Sequence, residues 1–85
     1  MRGIVGKLNE MEKVNIEYKG KGVALFLPSV NIESVLMSMG TLNIELEDGI
    51  ISLDLSEFSM NEMEENSIIL KKEEGSYIKI FEIIT

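Results

Sequence analysis

The sequence predicts an α+β fold: a mainly antiparallel sheet of five or six strands, built from three hairpins and curled around one short helix placed after the second strand. Three observations predict it. Apolar and polar residues alternate in short runs, those runs come in pairs hinged at a glycine, and Pro28 separates the first pair from a stretch whose apolar residues recur at helical spacing.

The first pair begins at Lys13, where Val14, Ile16 and Tyr18 alternate with Asn15 and Glu17, the pattern of a strand with one buried face. Gly20-Lys21 is the expected turn. A two-residue type II′ loop there sets Tyr18 opposite Val23, Ile16 opposite Leu25 and Val14 opposite Leu27. Pro28 ends the second strand because it has no N–H to give to a ladder. A short helix is expected next. Ser29 or Asn31 can cap it, Glu33 suits the positive end of its dipole, and Ile32, Val35, Leu36 and Met39 form its apolar stripe. Gly40 would close it in the left-handed conformation.

Thr41 to Glu47 and Ile50 to Ser56 flank Asp48-Gly49, a strong short-range hairpin signal. A two-residue loop at that dipeptide pairs Leu46 with Ile51, Ile44 with Leu53 and Leu42 with Leu55, leaving Glu45, Asn43, Ser52 and Asp54 on a wet face. Residues 56–66 show no strand pattern. Ser59 and Glu62 have capping-box spacing, so the segment is expected to be an ordered connector with a helical turn or two. The third hairpin joins Ser67–Glu73 to Ser76–Ile84 through Glu74-Gly75. Its second arm is apolar on both faces, which places it either at the centre of the fold or beneath another chain. Ile4, Val5 and Leu8 fit an additional edge strand or an apolar arm equally well. No repeat or domain linker interrupts the chain, so residues 1–85 are expected to form one compact domain.

Composition narrows the function. The 85 residues contain no His and no Cys, which removes imidazole acid–base chemistry, thiol nucleophiles and Cys/His zinc sites. Carboxylate-only catalysis needs a cleft between two acids, for which a small domain of paired strands leaves little room. The chain is therefore expected to be no enzyme and to carry no cofactor or metal. Glu45, Glu47 and Asp54 offer oxygen ligands, but on a solvent-facing strand and without the spacing of a calcium loop. The formal charge of −7 disfavours a phosphate backbone and favours a protein partner with a basic surface, with no direct nucleic acid. The lack of cysteine favours a reducing compartment, read as cytoplasmic, and no apolar run approaches the roughly 20 residues of a membrane span.

Two function classes are expected to compete. The first is a small acidic regulator or inhibitor that binds a partner with a basic surface, a nucleic-acid-binding protein being one such partner, similar in size and charge alone to inhibitors found among phage and immunity proteins. Its expected contact surface is the acidic, Met-containing connector: Phe58, Met60, Glu62, Met63, Glu64 and Glu65. The second is a homo-oligomer that joins through Ile78, Ile80, Phe81 and Ile83 and holds a small-molecule ligand at subunit junctions.

Overall fold

The computed structural model describes residues 3–84. A helix, α1 (Ile4–Asn9), precedes all the strands: β1 (Lys13–Gly20), β2 (Val23–Ser38), β3 (Thr41–Leu46), β4 (Gly49–Asp54), β5 (Met60–Met63), β6 (Ser67–Lys71) and β7 (Tyr77–Glu82). They form one antiparallel sheet of seven strands in the order β4-β3-β2-β1-β7-β6-β5. This corrects the expected fold on two points: there are more than five or six strands, and the helix lies at the N-terminus instead of after the second strand.

The helix expected after Pro28 is strand, and two bulges account for its misleading apolar spacing. Between Ile16↔Leu27 and Val14↔Val30, β2 has one residue more than β1, and between Ile32↔Leu46 and Ser34↔Glu45 it has one more than β3. Each extra residue breaks strict alternation and bends the strand. The core-facing residues Ile32 and Val35 are consequently three apart, which imitates a helical step, while Leu36 and Met39 point to solvent. Gly40 does take the left-handed conformation, but with Met39 in the β2–β3 turn (φ 81 and 50). Ser29 also has positive φ at the first bulge, where its N–H donates to Asn15 Oδ1 at 2.9 Å.

Two hairpins keep the expected faces but shift register by two residues. Lys21-Gly22 makes the first turn, so Gly20 meets Val23, Tyr18 meets Leu25 and Ile16 meets Leu27. Glu47-Asp48 makes the third, so Leu46 meets Gly49, Ile44 meets Ile51 and Leu42 meets Leu53. A slip of two returns each side chain to the same face, which is why the apolar pattern does not detect it. The connector holds a 3₁₀ turn, Leu55–Glu57, and then β5, an edge strand on β6.

The sheet is curled. A flat sheet of seven strands would hold its outer strands about 29 Å apart, yet β4 and β5 are its two ends and only residues 55–59 join them, a reach of roughly 20 Å. The inner face gathers Val14, Ile16, Val35, Leu42, Ile44, Ile68, Leu70, Ile78 and Ile80. At one end α1 adds Leu8 to that core and the turn after it adds Met11. A helix this short is unstable alone and is held by docking, by Lys7 Nζ donating to the Glu65 carbonyl, and by the Ile32 N–H donating to the Glu12 carbonyl just beyond it.

Candidate functional site: an open trough beside an unpaired strand edge

The long strand β2 has two differently dressed halves. Its second half lies against β3, but β3 ends at Leu46 opposite Ile32, so from Val23 to Asn31 β2 is paired with β1 on one side and, among the described residues, with no strand on the other. This free edge is apolar on both faces: Leu25 is 59% exposed, Phe26 54% and Leu27 42%. Val23 through Ile32 also contains no charged side chain. Exposed edges are usually guarded by charge. Here the two end strands are guarded, β4 by Asp48 and Asp54 at its limits and β5 by Glu62 with Glu64 and Glu65 after it, whereas the β2 edge carries no such guard.

Behind that edge the curled sheet is open. Ile16, Tyr18, Leu25, Leu27, Ile51, Leu53 and Ile78 line an apolar cavity of about 230 Å³ at the mouth of the core. Leu27 and Ile51 also belong to a second cavity of about 370 Å³, between residues 29–31 of β2 and the β3–β4 turn. The two make one trough. Gly20 helps to shape it: a Cβ there would stand 2.7 Å from the Tyr18 hydroxyl oxygen, so the missing side chain leaves room for the ring.

Among the described residues, charge borders the trough at one end only. Glu47 and Asp48 border the larger cavity, and Asn31 Nδ2 donates to Glu47 Oε2 at 3.2 Å, which fixes that carboxylate on the cavity wall. By register, Lys13 and Lys19 on β1, Lys71 on β6 and Lys79 on β7 lie on the outer face of the sheet, away from the trough. Asp54 has a structural task at the end of β4. The Ser56 hydroxyl and N–H both donate to its Oδ1, at 2.7 and 3.0 Å, and hold its carboxyl below the usual value of 3.8.

The residues singled out from sequence are placed as follows. Met60, Glu62, Met63, Glu64 and Glu65 are exposed along and just after β5. Glu62 pairs with Lys71 at 3.6 Å, and Phe58 packs against the core with Lys72 Nζ 5.6 Å from its ring centroid. Ile78 and Ile80 are buried within this one chain, since β7 runs between β1 and β6, while Phe81 and Ile83 are half-buried. Glu45, Glu47 and Asp54 do not converge, and among the described residues no three acidic side chains gather as a cation site. No helix among the described residues is long and apolar enough to cross a membrane.

Sequence reading missed the trough. It assigned Leu25, Leu27, Ile51 and Leu53 to an inner face and took that face to be covered. The one available signal was the charge-free run from Val23 to Ile32, which is longer than the edge of a soluble hairpin needs. No family model, curated protein or solved structure matches the chain.

Proposed function

We propose that this chain is a small, acidic, non-enzymatic protein-binding module whose binding surface is the trough and the free edge of β2. The observation that carries this reading is the unguarded edge itself: Leu25, Phe26 and Leu27 half-exposed on an unpaired strand, beside a cavity bordered by Glu47 and Asp48. Apolar residues bring affinity through burial, and the carboxylates favour a partner with basic side chains. The charge of −7 accelerates encounter with a basic surface at low ionic strength. Binding of this type suits a regulator or inhibitor, which acts by occupying a surface and needs no reactive group. A cysteine-free chain is at home in a reducing compartment such as the cytoplasm.

Selection of a displayed random-peptide library on the immobilised protein tests the reading. Peptides that combine apolar residues with Lys or Arg should be enriched, and a Leu25→Lys/Leu27→Lys variant, folded by circular dichroism, should lose that enrichment. An identical pool from the variant, or enrichment without basic residues, overturns it.

A further inference from the structure

We infer that the occupant of the trough is an extended segment of the partner, which pairs as an additional strand with β2 and places a basic side chain in the cavity bordered by Glu47 and Asp48. This rests on the protein-binding reading and specifies the geometry and chemistry of the bound segment.

The backbone supports the pairing. Lys21-Gly22 is a two-residue loop, so Gly20 and Val23 form the hydrogen-bonded pair that closes it, and antiparallel bonding alternates from there. The residues of β2 bonded to β1 are then Val23, Leu25 and Leu27. Ala24 and Phe26 turn their N–H and C=O groups to the free edge. Pro28 agrees with this phase: it falls at the next outward position, where a missing N–H costs the β1 ladder nothing, and it marks where the open edge stops offering donors. Added strands of this kind gain affinity from main-chain bonds and selectivity from pockets for alternate side chains.

The pockets fit such a strand. Along β4 the larger cavity is bordered by Gly49, Ile50 and Ile51 and the smaller by Ile51 and Leu53. Their centres are therefore about two residues apart, close to the roughly 6.6 Å between successive same-face side chains of an extended chain. One inward residue of the segment meets Leu25, Leu27 and Leu53 and should be apolar. The next lies over Leu27, Val30, Leu46 and Ile51 with Glu47 and Asp48 at the border, which suits the apolar stem and charged head of Arg or Lys. A second copy of this chain fits less well. The Val23–Ile32 run that a second copy would lay in the trough contains no Lys or Arg to meet Glu47 and Asp48, and the two molecules would each carry −7.

The test uses the full chain and a capped nonapeptide in which threonines alternate with three valines and one arginine. Calorimetry should show binding that weakens about tenfold when the arginine is replaced by glutamate. Amide exchange followed by NMR should show new protection at Ala24 and Phe26. Methylating the peptide nitrogens at alternate residues should abolish binding in one frame and spare it in the other, because a single edge uses every second N–H. Equal binding in both frames overturns strand addition and leaves the protein-binding reading intact. Protection at Ala24 and Phe26 without peptide, with a dimer by light scattering, assigns the edge to a second copy and also overturns the inference. Absence of binding by the nonapeptide overturns it as well, and the library selection then decides the broader reading separately.

Discussion

The two ends of the curled sheet begin from the same alternating pattern and finish differently. At the α1 end, Leu8 and Met11 complete the interior and are themselves buried. At the opposite end, Leu25 and Leu27 hold equivalent inward positions on β2, yet about half of each remains exposed because β3 stops at Leu46. An inward-facing apolar residue becomes core only where the chain supplies something to cover it. The helix does so at one end, and at the other the chain's own coverage stops short.

Denaturant unfolding tests this contrast most strongly. Leu8→Ala should cost about 2–5 kcal/mol, since it leaves a cavity in a packed interior, whereas Leu25→Ala should cost less than about 1 kcal/mol. Comparable losses would mean that the mouth is closed in solution. The turns come next. Gly22 has φ 69, so Gly22→Ala should destabilise by about 1–2 kcal/mol. Met39 is fully exposed at φ 50, and Met39→Gly should raise the melting temperature by relieving a side chain in the same region. The first bulge shapes one wall of the trough. Asn15→Ala removes the acceptor of the Ser29 N–H and should cost about 0.5–1 kcal/mol, with NMR shift changes concentrated at residues 27–31.

The smallest effect concerns pH. Asp54 is held below its usual value by Ser56, so its folded value lies under its unfolded one. The stability it contributes is present above the unfolded value and is lost as pH falls through the folded one. An NMR titration should show this carboxyl below 3.8 in the wild type and moving upward in Ser56→Ala. Because Asp54 is fully exposed to solvent, the accompanying change in unfolding midpoint should be small.

Much of the fold was legible because alternation survives errors in register. Val14, Ile16, Leu42 and Ile44 were assigned to the correct face although both turns were misplaced, since a slip of two residues leaves faces unchanged. The errors have local causes. The second bulge in β2 puts Ile32 and Val35 at helical spacing, and no rule of alternation anticipates an inserted residue. Conversely, Ile4, Val5 and Leu8, expected in an edge strand or an apolar arm, lie in a helix of six residues whose N-cap Gly3 offers no side-chain cap to announce it. Two-sided apolarity marked β7 as central or covered, and it is central. The candidate site was less legible than the fold. Whether Leu25 is covered depends on where β3 ends, a property of distant strands that the residues around Leu25 do not carry.

The pairing of β1 with β7 has a kinetic consequence. Val14 meets Glu82 and Tyr18 meets Ile78, so the sheet joins only once β7 has followed the six other strands. The β1–β4 meander can form early from neighbouring residues, but its β1 edge stays open until the last strand arrives. Closing such a long loop is slow, and all-β domains with non-local pairing fold on the order of milliseconds to seconds. During synthesis on a ribosome the emerging meander would therefore expose the β1 edge and the apolar half of β2 besides the acid-flanked edge of β4, and of these only the β1 edge is covered when β7 emerges.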